Sequence, residues 1–109
     1  MTIKVKFISL QKFKKKMDHI QCLILGSGPA GYTTAIYTCR ADIKTVIYEG
    51  PITGGQLMQT TEIENFPGYP EGVHGSQMMD DIRRQAERFG AEFRMGSIVE
   101  VDASLIVII

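Results

Sequence analysis

Three glycines with the spacing Gly26-x-Gly28-x-x-Gly31 are the residues of this sequence that most clearly indicate a chemistry. In this spacing the first glycine permits a tight turn, the second lets backbone N–H groups approach a phosphate, and the third lets a helix pack close to the preceding strand. The N-terminus of that helix adds unpaired N–H donors and a partial positive charge. The pattern predicts a site for the diphosphate of a dinucleotide.

The segments on either side of this turn predict the strands and helix that such a site needs. Residues 20–25 are apolar apart from Gln21 and predict a strand covered on both faces, and residues 32–41 predict a helix. Residues 45–48 predict a second strand, and Glu49 follows it, 18 residues after Gly31. A carboxylate there can accept hydrogen bonds from both hydroxyls of an adenosine ribose. The alternative is a buried structural turn in another kind of α/β protein.

The charge distribution argues against nucleic acid as the main partner. The formal net charge is +0, but residues 1–16 hold six lysines and no acid, so the rest of the chain carries 6 basic and 12 acidic residues. No apolar run is long enough to span a bilayer, and no secretory signal is recognisable. We therefore expect a cytoplasmic protein with no membrane partner, and a basic, disordered tail at residues 1–16.

The side chains that most often carry redox or metal chemistry are sparse. Cys22 and Cys39 are the only cysteines, they form no Cys-x-x-Cys pair, and we interpret both as small packing residues. His19 and His74 have no metal-ligand spacing. The sequence therefore predicts neither a metal site nor a catalytic residue.

The remaining segments predict a small α/β domain. Residues 18–49 predict one right-handed β-α-β unit, and the loop-rich segment 50–75 is long enough to indicate a functional role. A helix is expected to begin at Ser76, capped by its hydroxyl, and to end before Gly90. Its apolar stripe comprises Met78, Met79, Ile82, Ala86 and Phe89, and its other face comprises Arg83, Arg84, Glu87 and Arg88. Strands are expected at 91–95, 98–101 and 105–109, and a hairpin is possible among the strands of the chain.

Five segments together resemble the bacterial low-molecular-weight thioredoxin reductase family. The glycine turn alone is shared by many flavoenzymes, whereas the combination at this spacing is much more specific. The resemblance covers about residues 17–102. The segments are Gly26-Ser27-Gly28-Pro29-Ala30-Gly31-Tyr32, Ile47-Tyr48-Glu49-Gly50, Gly54-Gly55-Gln56-Leu57, Glu62-Ile63-Glu64-Asn65-Phe66-Pro67-Gly68 and Gln85-Ala86-Glu87-Arg88-Phe89-Gly90-Ala91.

This resemblance implies a Rossmann-like fold that binds FAD non-covalently. It implies NADPH as electron donor, the disulfide of thioredoxin as acceptor, and a cytoplasmic homodimer. Gly54, Gly55 and Gln56 would line the flavin and its ribityl chain, Asn65 would hydrogen-bond nearby, and Ile98 would meet the adenine through its backbone. The diphosphate and the adenosine ribose would be held by Gly26, Ser27, Gly28, Pro29, Ala30 and Gly31, and by Glu49 with Gly50 beside it.

The chain also departs from the family pattern. The redox Cys-x-x-Cys, the second glycine-rich turn and the returning segment that completes the FAD domain are expected beyond residue 109. We therefore expect residues 17–109 to be a partial FAD-binding domain that does not turn over alone, since thiol–disulfide exchange needs a cysteine pair.

Three alternatives stay open at this point. The first is a fragment of a related flavoprotein that reduces ferredoxin or serves a peroxidase partner. The second is a non-catalytic, truncated FAD-binding module. The third is an NAD-binding dehydrogenase domain, with which Glu49 is compatible but the loop from Gly54 to Gly68 is not.

Overall fold

The computed structural model describes residues 4–7 and 20–102. Between residues 22 and 94 strands and helices alternate, as the sequence predicted for an α/β protein. In chain order they are strand β1 (Lys4–Phe7), strand β2 (Cys22–Leu25), helix α1 (Pro29–Arg40), strand β3 (Thr45–Tyr48), a 3-10 turn (Gly55–Gln59), helix α2 (Gly75–Arg88), strand β4 (Glu92–Arg94) and strand β5 (Ile98–Asp102).

Strands β2, β3 and β4 form a three-stranded parallel sheet with β3 in the middle. All four residues of β3 are buried, whereas β2 is half-buried and its Leu25 is exposed. The expectation that the first strand is covered on both faces is therefore wrong for this structure, because β2 is an edge strand of the described sheet. The partial Rossmann-like arrangement itself is confirmed.

Strands β4 and β5 are consecutive in the chain but do not pair with each other as a hairpin. Strand β4 runs parallel to β3, and β5 pairs instead with β1 in the antiparallel direction.

Strand β1 lies within the segment 1–16, for which the sequence predicted a disordered tail. Lys4–Phe7 is a strand paired with β5, and its lysines alternate with Val5 and Phe7 at the period of two that strands prefer. The number of lysines in residues 1–16, on which the prediction depended, does not reveal this alternation. The rest of the tail and the strand expected at 105–109 lie outside the described residues, and the domain boundary near residue 17 stays a prediction.

Helix α1 begins at Pro29, three residues before the predicted helix, because proline is favoured in the first turn. Helix α2 begins at Gly75 with His74 in the capping position, and no side chain caps it, so the predicted cap by Ser76 is wrong. Gly90 has φ +97° and follows the helix end, as predicted.

The core lies where α1 and α2 pack together over the sheet. The apolar stripe predicted on α2 is confirmed for its first four members, while Phe89 is half-buried at the end of the helix. The buried residues of this cluster are Tyr32, Ala35, Ile47, Ile63, Met78, Met79, Ile82, Ala86 and Ala91.

Candidate functional site

The glycine turn joins β2 to α1 at the carboxyl edge of the sheet. Gly26 has φ +112°, and its amide donates to the Tyr48 carbonyl at 2.8 Å. A Cβ on Gly31 would lie 2.8 Å from the Gly26 oxygen and 3.2 Å from Ile24 Cγ2, so only glycine permits this close packing. A Cβ on Gly28 would meet nothing within 4 Å. The turn is therefore closed on its inner side and open at Gly28.

The N-terminus of α1 faces this open space without a cap from the protein. Gly28 occupies the capping position in an extended conformation, Pro29 follows, and no side chain hydrogen-bonds to the helix end. Proline has no N–H, so the free donors are the amides of Ala30 and Gly31. Two free N–H groups with the helix dipole behind them form an anion-binding geometry.

Ser27 holds the turn to the next loop from the inside. Its residue exposure is 3%, and its Oγ donates to the Glu49 carbonyl at 2.8 Å and accepts from the Gly54 amide at 3.0 Å. Because its hydroxyl is engaged inside the protein, a contact between Ser27 and a ligand would have to use its backbone.

The second predicted segment, Gly54–Gln56, lies directly against the glycine turn. Gly54 and Gly55 have φ of +88° and +68°. A Cβ on Gly55 would lie 3.2 Å from Gly28 Cα, so the two backbones touch. Gln56 follows with an exposed side chain. Glycine is required at both positions for conformation and, at Gly55, for close approach.

Glu49 is a nearly buried carboxylate at the end of β3. Its side chain is 3% exposed, and Arg83 of α2 donates to its Oε1 from Nη2 at 2.8 Å and from Nε at 3.0 Å. Among the described residues no hydrogen bond reaches Oε2. The Arg83 guanidinium lies 4.1 Å from the centre of the Phe93 ring. One carboxylate oxygen is thus fixed by the protein and the other is available.

Sequence reasoning placed Arg83 on the outer face of α2, and this was wrong. Arg83 is four residues after Met79 and three before Ala86, both of which are buried, so its position continues the inner stripe. That spacing was the signal that could have identified it. Burial alone would lower the pKa of Arg83, but its hydrogen bonds to Glu49 and the negative charge of that carboxylate raise the pKa overall.

Tyr32 brings a hydroxyl to the same cluster. The residue is 0% exposed, and its ring meets the Phe93 ring edge-on with 6.0 Å between centroids. Its hydroxyl has no hydrogen-bond partner among residues 4–7 and 20–102. Burial raises the pKa of Tyr32, and the negative charge of Glu49 raises it further.

The structure therefore brings together most of the residues predicted to hold a dinucleotide. Asn65, an exposed residue, and Ile98, which begins β5, have no described contact with the group, and their roles stay predictions. The described chemistry fits FAD: two free amides face an open turn, and a buried carboxylate has one available oxygen. The residues in mutual contact or direct succession are Gly26, Ser27, Gly28, Pro29, Ala30, Gly31, Glu49, Gly50, Gly54, Gly55 and Gln56.

A separate cleft of about 520 Å³ lies between α1, α2 and the loop at 66–69, and none of the predicted cofactor residues lines it.

Within residues 4–7 and 20–102, no three His, Cys, Asp or Glu side chains are grouped to hold a metal ion. No helix in the same ranges is long and apolar enough to cross a membrane.

Comparison with known proteins gives consistent results. Residues 20–106 match the family model described as pyridine nucleotide-disulphide oxidoreductase. The chain is 57% identical over 83 residues to a thioredoxin reductase of Streptomyces coelicolor, which covers 75% of this chain and 26% of the relative. It is 54% identical over 92 residues to a thioredoxin reductase of Chlamydia trachomatis, which covers 82% of this chain and 30% of the relative.

A solved structure agrees with these relatives. Thioredoxin reductase of Lactococcus lactis superposes with a TM-score of 0.67 at 41% identity, over 72% of this chain and 25% of that one. The chain thus spans 25–30% of the length of these three proteins. These relatives support the thioredoxin reductase interpretation over the alternatives left open by the sequence. The chain belongs to the pyridine nucleotide-disulphide oxidoreductase family.

Proposed function

We propose that this chain is the N-terminal, FAD-binding portion of a thioredoxin-disulfide reductase. In the parent enzyme, electrons would pass from NADPH to FAD and then to the disulfide of thioredoxin. The observation that carries the proposal is the uncapped α1 terminus at open Gly28, tied through Ser27 to the loops of Glu49 and Gly54. The names of the relatives support thioredoxin as the substrate, and a homodimer in the cytoplasm stays a prediction.

Each part of the site has a separate task in this proposal. The amides of Ala30 and Gly31 would hold the diphosphate, and Glu49 would accept hydrogen bonds from the adenosine ribose. Gly54 and Gly55 would let the backbone approach the flat flavin ring, and Gln56 would offer amide groups to its polar edge or ribityl chain. When bound, FAD supplies the acceptor for a hydride and the donor of electrons to a disulfide.

The 109-residue chain itself is not expected to reduce disulfides. Its two cysteines lie in β2 and in α1, sixteen intervening residues apart, and neither belongs to a Cys-x-x-Cys pair. Thiol–disulfide exchange needs an attacking thiolate with a resolving partner close by. The proposed contribution of this chain is therefore cofactor binding.

Titration of the purified chain with FAD tests the proposal, with flavin fluorescence as the signal and riboflavin as the matched control ligand. We expect saturable FAD binding that is much tighter than riboflavin binding, because riboflavin lacks the diphosphate and the ribose. The absence of saturable FAD binding up to the solubility limit of the cofactor would contradict the proposal. NADPH-dependent reduction of thioredoxin by the pure chain would contradict the prediction that it is inactive alone.

A further inference from the structure

Two consecutive arginines of α2 make very different ion pairs. Arg83 reaches Glu49 at 2.8 Å, and the two side chains are 32% and 3% exposed. Arg84 approaches Asp80 no closer than 3.9 Å, and those side chains are 70% and 60% exposed. The second pair is a solvated surface contact, which contributes little to stability. The first holds a carboxylate that has almost no access to water.

Arg83 fixes the direction of that carboxylate as well as its charge. Nε and Nη2 both donate to the same oxygen, Oε1, so the carboxylate cannot rotate without losing two charge-assisted hydrogen bonds. The guanidinium is itself held by the Phe93 ring at 4.1 Å. Within the described part of the chain Oε2 is left without a partner, at the carboxyl edge of the sheet beside the glycine turn.

We propose that Arg83 is a positioning residue for ribose recognition: it clamps Oε1 of Glu49 so that Oε2 is presented, charged and preoriented, to the hydroxyls of the adenosine ribose. This inference rests on the proposed FAD site. Arg83 acts through Glu49, since its Nε and Nη2 both donate to Oε1 of that carboxylate.

The physical basis is the high free energy of a buried charge without a partner. A carboxylate removed from water needs a cation and hydrogen bonds, or it takes up a proton and becomes a weaker acceptor. An arginine that donates only to Oε1 leaves Oε2 without a hydrogen bond from the described residues. A lysine would supply the charge but not the two-nitrogen geometry.

The test compares two ligands that differ only at the ribose, ADP and 2′,3′-dideoxyadenosine diphosphate, by calorimetry on the full 109-residue chain. The wild-type chain should bind ADP about tenfold more tightly, the ratio that ~1.4 kcal/mol produces. The Arg83→Met variant should bind both with affinities within about twofold of each other, and so should Glu49→Gln. The control variant Arg84→Met should keep the wild-type ratio.

The ratio separates positioning from general stabilisation, since a variant that is merely less stable binds both ligands more weakly by the same factor. If Arg83→Met does not fold, Arg83→Lys replaces it, with an expected fall in the ratio of at least about threefold. If the wild type prefers ADP and the Arg83 variants keep the same preference, the proposed role of Arg83 is overturned, whereas the proposed FAD site is not. A wild type that binds neither ADP nor FAD would overturn the proposed function, and this inference with it.

Discussion

The two helices of this chain begin in opposite ways. At the start of α1, a Cβ on Gly28 would meet nothing within 4 Å, and no side chain caps the helix. At the start of α2, a Cβ on Gly75 would collide with the carbonyl oxygens of Leu57 and Thr60, and the Gly75 amide donates to Thr60 O at 3.1 Å. Both helices lack a side-chain cap, but only α2 is closed by the protein itself.

This difference shows that a glycine at a helix start can have two unrelated purposes. Free N–H groups and a positive dipole end are common to all helices. Gly75 lets the loop backbone pack against α2 and fill the space there, whereas Gly28 keeps the space at α1 open. The environment of the helix end, and not the helix end alone, distinguishes a binding site from a packing contact.

The largest effect is expected from Gly75→Ala. Alanine is the better helix former, so propensity alone predicts a gain in stability. The collision with two backbone carbonyls predicts the opposite, a loss of about 2 kcal/mol in the free energy of unfolding, typical of overpacking. Urea denaturation of the wild type and the variant measures the difference. An unchanged or higher midpoint would show that the α2 start is not closed in this way.

Gly28→Ala should change the stability of the chain little and weaken FAD binding strongly. Gly28 has φ −76°, which alanine adopts without strain, and its surroundings are open, so the free energy of unfolding should change by less than about 0.5 kcal/mol. The added methyl group would occupy the space proposed for the diphosphate, so FAD affinity should fall at least about tenfold. Paired denaturation and fluorescence titrations check both values. An unaltered FAD affinity would remove the functional distinction between the two helix starts.

The smallest effect is expected from Tyr32→Phe, which probes the buried side of the α1 start. The variant removes a hydroxyl that has no partner, and we expect a gain of up to about 1 kcal/mol at neutral pH. Because the folded pKa of Tyr32 is raised above its ordinary 10.0, the wild type loses stability as the pH rises from 10 towards that folded pKa. The advantage of the variant should therefore widen in that range. Thermal melts of both proteins at pH 7 and above pH 10 test this, and a constant difference would contradict it.

The parallel sheet and the glycine turn were predictable because their determinants are local. An apolar run, a glycine spacing and a carboxylate after the next strand lie within residues 20–49. The expected inner stripe of α2 followed from helical periodicity in the same way. The resemblance of the motifs to thioredoxin reductases added the second segment at Gly54–Gln56, and the structure places it against Gly28.

The contacts that were missed depend on pairs far apart in the sequence. Arg83 and Glu49 are separated by 34 positions, and Ser27 and Gly54 by 27. The charge of Arg83 favoured solvent, and although its helical spacing continues the inner stripe, nothing local shows that a buried acid lies at the sheet edge. The pairing of β1 with β5 was missed for the same reason, as it joins the two ends of the described chain.

The backbone amide, the backbone carbonyl and one carboxylate oxygen of Glu49 are all hydrogen-bonded within the protein. Its amide donates to Arg94 O at 2.9 Å, its carbonyl accepts from Ser27, and one carboxylate oxygen accepts from α2. Strand β4, the glycine turn and helix α2 thus all form hydrogen bonds with Glu49. A ligand that binds the remaining oxygen of Glu49 is therefore expected to stabilise these three contacts together.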